Sequence, residues 1–338
     1  MSGATAVWFD APRSVALRTE PLPPTGPDEL RVRALASAIS HGTEMLVYRG
    51  QVPEGARLDL PSLAGDFGFP IKYGYASVGR VIDTGSEVHG VERGDLVFAL
   101  HPHQTEYVLS ANLVWRLPDG VPPERGLFAA NLETALNALL DEPVRLGERV
   151  VVFGQGMVGL LVGMLARRSG AGRVLVVDGY ERRRALALEL GADAALVPGP
   201  ELTGQLLEAT EGRGADLVFE ASGNPDALQA AIDVVAQHGT VVVCSWYGAN
   251  PVSLELGSHF HRGRVRLRSS QVGQVDPALL PRWDRARRSA EVLTLLGELP
   301  LERLVSHRIP FGDAADAYRL VDEHPEQTVQ VVLTYRTG

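Results

Sequence analysis

The sequence predicts an α/β protein in which a β-rich region is followed by a parallel sheet with crossover helices. Two observations lead there. Residues 1 to about 118 are rich in Gly, Pro and short β-branched runs, and beyond Pro122 apolar strands begin to alternate with amphipathic helices. In the first stretch Glu29–Arg33, Gly79–Ile82 and Asp95–Phe98 alternate as half-buried antiparallel strands do, with turns between them. In the second, strands are expected at Glu148–Phe153, Arg173–Asp178, Ala215–Ala221 and Gly239–Ser245. Helices are expected at Met157–Ser169, Arg182–Leu190 and Asp226–Gln237. That order is what a parallel sheet with right-handed crossovers requires. A long helical stretch over Pro277–Gly297 then leads to a last strand, Thr328–Thr334.

Composition narrows the function classes. A chain of 338 residues with 45% hydrophobic content can build two ordinary domains. Its net charge of −9 argues against a general nucleic-acid binder, which needs a basic face. The basic run His259–Arg268 goes against that trend and reads as a solvated or subunit-facing strand. No run approaches the roughly 18 uncharged apolar residues of a membrane helix, and no signal-peptide pattern opens the chain. The single cysteine, Cys244, permits neither an intrachain disulfide nor a four-cysteine zinc site, so a reducing cytoplasm is expected. Cys244 itself sits in an apolar strand pattern and reads as an inert core thiol.

The strongest motif is Phe153-Gly154-Gln155-Gly156-Met157-Val158-Gly159, after a strand and opening a helix. Gly154 permits the tight turn, Gly156 lets the backbone approach a pyrophosphate, and Gly159 allows close packing of helix on strand. Asp178 ends the next strand about twenty residues on, where an acid hydrogen-bonds the ribose 2′-OH of NAD. The expected fold is therefore a Rossmann doubly wound sheet. NAD is the expected cofactor, because Asp178 would repel a 2′-phosphate. Arg182, Arg183 and Arg184 keep NADP as the alternative, since they offer a counter-charge. By the switch-point rule Ser222-Gly223 and Ser245-Trp246-Tyr247 complete the cleft.

A second motif, Ser40-His41-Gly42-Thr43-Glu44, is open to three readings: metal ligands, an acid/base pair or an ordinary turn. Together with Pro70-Ile-Lys-Tyr-Gly74-Tyr75-Ala-Ser77-Val78-Gly79 and the glycine motif, it makes the whole chain resemble the medium-chain dehydrogenase/reductase superfamily. Within it the two short motifs are most similar to the zinc-free group that includes bacteriochlorophyllide a dehydrogenase. The resemblance implies a GroES-like β-rich catalytic domain from residues 1–131 and 272–338, and a Rossmann dinucleotide-binding domain from 132–271. Zinc members carry Cys-Gly-Thr-Asp where this chain has His41-Gly42-Thr43-Glu44, and Gly-His-Glu where it has Gly74-Tyr75-Ala76. Their third ligand falls near Ala130, and their four-cysteine lobe is missing here, so no zinc is expected. An improvised metal site from His41, His101, His103 and Glu44 is the alternative.

Without a metal, side chains must stabilise and protonate the alkoxide formed when a ketone is reduced. The resemblance implies that Thr43 relays the proton. His41 has the titration range for acid/base work near neutrality. Tyr75 is expected to donate a hydrogen bond to the substrate oxygen, Glu44 to orient a neighbour, and His101 to be a second candidate acid. Thr134 matches a position beside the nicotinamide ring, and Ser270 and Val272 match backbone positions that hold its carboxamide. The loop Val52–Phe69 is expected to roof the pocket, and with Tyr48, Trp246 and Tyr247 it suggests a cyclic or bulky substrate. The function expected is interconversion of a secondary alcohol and a ketone. A zinc-free enoyl or quinone reductase using NADPH and a catalytically silent dinucleotide-binding sensor are the alternatives. The resemblance implies a homodimer or homotetramer, joined at the edge strand Arg264–Arg268. Neither nucleic acid nor a membrane is an expected partner.

Overall fold

A computed structural model of the chain describes residues 3–58, 62 and 65–336. It divides into two units, Met1–Ala130 with Leu293–Gly338, and Asn131–Val292. Among the described residues no helix is long and apolar enough to cross a membrane.

The first unit is built on a seven-stranded, mostly antiparallel sheet. Its strands run in the order Val305–Pro310, Gln330–Thr334, Glu29–Ile39, Ser77–Thr84, Leu96–Ala99, Val114–Arg116, and Glu106–Ser110 also pairs with Glu29–Ile39. In Glu29–Ile39 the alternating residues Leu30, Val32, Ala34 and Ala36 are all buried, as the period of two demands. A hairpin of Gly3–Ala11 and Ser14–Pro21 is tied on through bridges from Ala6 to Gln104 and from Phe9 to Ile71. One core gathers Phe9, Met45, Tyr48, Tyr318 and Leu333, and a second Leu30, Val32, Val97 and Tyr107.

The second unit is a six-stranded, all-parallel sheet ordered Ala194–Leu196, Arg173–Val177, Arg149–Phe153, Ala215–Glu220, Val235–Val243, Arg266–Ser269. Its central strands are continuous apolar runs because helices cover both faces, so Val150 to Phe153 are all buried. The strand order reverses between Arg149–Phe153 and Ala215–Glu220, which makes that edge the switch point. Arg266–Ser269 is the outer strand, two residues later than expected, because Arg264 adopts a left-handed turn with φ of 52°.

Two other expectations are corrected. The helix expected over Asp226–Gln237 stops at Val234, and Val235 opens the next strand, since Val235 and Ala236 are buried and Val235 pairs with Ala215. The helix expected over Pro277–Gly297 is broken: a 3-10 turn covers Pro277–Leu279 and the helix proper is Arg285–Glu298. Pro281 has no N–H to give a helix and bars Leu280 from helical geometry. In the structure the second unit runs on to Val292, and the first resumes at Leu293. The first half of that helix stays with the second unit because Arg288 binds Glu133 and Asn137.

His101 follows the strand Leu96–Ala99 and is packed rather than displayed. Its ring stacks on Tyr107 at 3.9 Å and 12°, and its Nδ1 lies 2.9 Å from the carbonyl of Pro102. Burial lowers its pKa from 6.5 to about 3. An unfolded chain therefore takes up this proton below about pH 6.5 while the folded chain refuses it until about pH 3. The contribution is complete above pH 6.5 and is lost as pH falls through that window, by on the order of 1 kcal/mol per pH unit. His101→Phe keeps the stacked ring and should flatten that loss, read as a smaller difference in urea stability between neutral and mildly acidic buffer.

Candidate functional site

In the second unit the glycine motif forms the turn expected of it. Gly154 has a φ of +84°, and a Cβ there would lie 2.6 Å from the Ser222 backbone. A Cβ on Gly159 would lie 1.8 Å from the Gly154 carbonyl oxygen, so the helix Met157–Arg168 can approach the strand only without one. Around Gly156 the space is open, which leaves the helix N-terminus of Met157 and Val158 accessible to a pyrophosphate. Asp178 is 8% exposed; its Oδ2 accepts from the Gln155 N–H at 2.6 Å and its Oδ1 from the Tyr180 N–H at 2.8 Å. Each oxygen keeps a further lone pair for a ribose hydroxyl.

The arginines that follow differ among themselves. Arg182 is exposed, Arg184 donates to the Asp178 carbonyl at 2.8 Å, and the Arg183 guanidinium lies 4.9 Å over the Tyr180 ring. Burial lowers the pKa of Arg183, and the nearby Asp178 opposes that shift.

Beyond the switch point a residue that the sequence reading missed organises the strand ends. Glu220 is fully buried at the end of Ala215–Glu220. Its Oε1 accepts from the Ser222 N–H at 2.6 Å and the Gly223 N–H at 3.2 Å, and its Oε2 from the Tyr247 hydroxyl at 2.7 Å. Gly223 N–H also reaches the Ser245 hydroxyl at 2.8 Å, so the two loops expected to complete the cleft are tied together. Trp246 is 41% exposed beside them. Cys244 lies just past its strand, and burial pushes its thiol up, so it stays protonated. Ser270 and Val272 follow the outer strand at the same carboxyl ends, and Thr134 lies half-buried on the helix Ala129–Asp141.

In the first unit the Ser40–Glu44 motif builds a second cluster. Thr43 starts the short helix Thr43–Tyr48, and Glu44 turns inward with no exposure at all. Its Oε2 accepts from the Ser40 N–H at 2.9 Å; its Oε1 accepts from His103 Nε2 at 2.8 Å and from the Tyr318 hydroxyl. The other ring nitrogen of His103, Nδ1, lies 2.7 Å from the Ser37 hydroxyl, so the ring joins Glu44 to Ser37. Ser37 in turn meets the Tyr335 hydroxyl at 2.8 Å. Burial raises Tyr318 and Tyr335 well above the usual phenol range, which keeps both protonated. The close fit explains Gly74, whose φ is +128°: a Cβ there would lie 2.7 Å from the His103 ring.

Three hydroxyls gather around the same motif. Tyr75 donates to Ser40 Oγ and has Thr43 as its other hydrogen-bond neighbour. Burial raises the Tyr75 pKa, so the phenol donates but does not ionise. The structure thus brings Thr43, Glu44 and Tyr75 together with Ser40, while His41 is half-buried next to them in the chain. His101, the second candidate acid, is buried and stacked on Tyr107, and burial keeps it unprotonated near neutrality. Tyr48 is corrected: it is 4% exposed and packed between Phe9 and Tyr318, which makes it core and not pocket wall. Of the loop Val52–Phe69, residues 59–61, 63 and 64 lie outside the described residues, while Val52, Phe67 and Phe69 pack on the core. His103 is the member that sequence reasoning missed as a partner of Glu44; nothing in its spacing marks a contact across 59 residues.

The donor set does not suit a catalytic zinc ion, which needs three protein ligands. At the three positions implied for ligands stand His41, a Tyr75 phenol held protonated, and Ala130, which has no donor atom. Among the described residues no group of three His, Cys, Asp or Glu side chains gathers closely enough to hold a metal, so His41, His101, His103 and Glu44 do not assemble into one.

Comparison with known proteins agrees with this architecture. Residues 158–286 match the zinc-binding dehydrogenase family, within the second unit and outside the Ser40–Tyr75 cluster. D-guloside 3-dehydrogenase of Escherichia coli K12 is 29% identical over 91% of this chain and 93% of its own length. L-threonine 3-dehydrogenase of Pyrococcus furiosus is 30% identical over 65% of this chain and 69% of its own. The alcohol dehydrogenase of Thermus sp. ATN1 superposes with a TM-score of 0.77 at 25% identity, covering 98% of this chain and 100% of that one. With both the nucleotide fold and the β-rich unit shared along nearly the whole chain, the protein belongs to the medium-chain dehydrogenase/reductase superfamily and is an NAD(P)-dependent oxidoreductase of its alcohol-dehydrogenase type.

Proposed function

We propose that the protein is a zinc-independent, NAD(H)-preferring dehydrogenase that interconverts a secondary alcohol and a ketone on a cyclic, hydroxylated substrate. The observation that carries this reading is the row of hydroxyls Thr43, Tyr75 and Ser40, braced from below by Glu44. The cyclic substrate is supported by the relative that acts on a D-guloside.

The glycine turn and Asp178 would hold a nicotinamide dinucleotide, which would supply hydride exchange with the carbinol carbon. The second unit binds and orients that cofactor, with the Gly156–Met157 helix end for the pyrophosphate and Asp178 for the adenosine ribose. The first unit handles the proton. Tyr75 donates to Ser40, which leaves its own oxygen able to accept from Thr43. A proton leaving the substrate hydroxyl then passes to Thr43 as Thr43 passes its own to Tyr75 and Tyr75 its own to Ser40. Each hydroxyl takes one proton and gives one, so none has to ionise, in keeping with the raised pKa of Tyr75. Ser40 passes its own proton to His41, half-buried and next to it in the chain, and His41 releases one to solvent.

NAD is favoured over NADP because Arg184 is engaged with the Asp178 backbone and Arg183 with the Tyr180 ring, while the Asp178 carboxylate would repel a 2′-phosphate. NADH should therefore bind more tightly than NADPH by calorimetry, and Asp178→Ala should narrow or reverse the gap by removing a repulsive charge. Tighter binding of NADPH by the unmutated protein would contradict the assignment.

The proton path has its own test, using the best substrate from a panel of cyclic polyols and glycosides. Thr43→Val and Tyr75→Phe should each slow turnover by about 10²–10⁴-fold while NADH affinity is unchanged, because neither touches the dinucleotide fold. His41→Ala should remove a pH dependence near neutrality that Thr43→Val leaves in place. Near-normal turnover in both hydroxyl variants would exclude this route.

A further inference from the structure

The helix Ala129–Asp141 carries a row of polar side chains, Glu133, Asn137 and Asp141, at the four-residue spacing that places them on one face. Such a row facing solvent would need no explanation, but this one is buried. Asn137 has no exposure, the Asp141 side chain is 9% exposed, and the residue they meet, Arg288, is 2% exposed. Arg288 donates to Glu133 at 2.7 and 3.1 Å and to the Asn137 carbonyl oxygen. Asn137 spends its amide N–H groups on Asp141 Oδ2 at 2.9 Å and on the Gln271 carbonyl at 3.4 Å. Asp141 Oδ2 also accepts from the Ser270 hydroxyl at 2.6 Å, and Arg268 approaches its other oxygen at 3.9 Å. The row therefore ends on one short segment, at the Ser270 hydroxyl and the Gln271 carbonyl, immediately after the outer parallel strand.

A buried polar row of this kind is costly unless every member is satisfied, and hydrophobic residues would have packed these helices as well. What it supplies instead is a fixed position for that strand end. A doubly wound sheet binds one mononucleotide on each side of its switch point, outside the carboxyl ends of the strands. The glycine motif and Asp178 lie on the Arg173–Val177 side and take the adenosine half. The strands Ala215–Glu220, Val235–Val243 and Arg266–Ser269 lie on the other side, so Ser270–Gln271 belongs to the nicotinamide half.

We infer that Asn137, Asp141 and Arg288 are positioning residues for the nicotinamide end of the cofactor, acting through Ser270 and Gln271. The inference rests on the dinucleotide reading above. It separates two ligands: NADH reaches this strand end, whereas ADP-ribose, which lacks the nicotinamide, stops short of it. Damage to the fold at large would weaken both.

The test is calorimetric binding of NADH and of ADP-ribose to the full-length protein and to two variants. Ser270→Ala removes only a half-buried hydroxyl, and Asp141→Asn keeps the shape of the side chain. Both variants should bind NADH about tenfold more weakly, the loss of one charge-assisted hydrogen bond, while ADP-ribose affinity stays within about twofold. The fluorescence of bound NADH should also move toward that of free NADH as the ring loses its fixed position. Equal weakening of both ligands, or no weakening of NADH in either variant, overturns the inference while leaving the dinucleotide site intact. Failure of the unmutated protein to bind ADP-ribose overturns the dinucleotide reading itself, and this inference with it.

Discussion

The first unit depends on one buried carboxylate. Glu44 is fully buried and, among the described residues, is bonded to no lysine or arginine, so its oxygens must be satisfied by other donors. Those donors come from the Ser40 backbone, from His103 beyond the strand Leu96–Ala99, and from Tyr318 on the helix Ala314–Glu323 near the other end of the chain. Three distant segments are thereby held to one point, and each donor left unsatisfied by a change at Glu44 would cost about 1–3 kcal/mol. Gly74 follows from the same constraint, because no side chain fits between its backbone and the His103 ring. The chemistry follows too. The Ser40 N–H that Glu44 fixes belongs to the residue whose hydroxyl accepts from Tyr75.

The second unit repeats the device at its own strand ends. Glu220, equally buried, collects the N–H groups of Ser222 and Gly223 and the Tyr247 hydroxyl, while Asp178 collects those of Gln155 and Tyr180. A carboxylate that gathers adjacent N–H groups fixes a loop without a long side chain reaching across the cleft, so the space above remains open to a ligand. In both units the buried acids fix main chain.

Much of this was legible in the sequence, for identifiable reasons. The parallel sheet shows as uninterrupted apolar runs, since strands buried on both faces have no polar alternation, and the glycine motif names its own steric needs. Thr43, Glu44 and Tyr75 were legible because two short motifs carry them. Element ends were less so: Val235 and Ala236 continue a helical pattern on paper, and only their pairing and burial beside Ala215 make them strand. His101 and His103 show the limit most clearly. Two residues apart in a loop, they look interchangeable, yet one stacks on Tyr107 and the other completes the Glu44 network. Which is which depends on Ser37, Glu44 and Tyr107, none of them near in sequence. Arg288 was unreadable for the same reason, as one arginine among several in a helix whose partner lies about 150 residues earlier.

The central claim is that a braced row of hydroxyls does the work for which other dehydrogenases of this superfamily use a metal. It is tested most directly by elemental analysis of the active, NADH-loaded protein, followed by turnover before and after exhaustive chelation. The account predicts no stoichiometric zinc or other transition metal and an unchanged rate after chelation. One zinc per chain, lost together with activity and restored with it, would contradict the account.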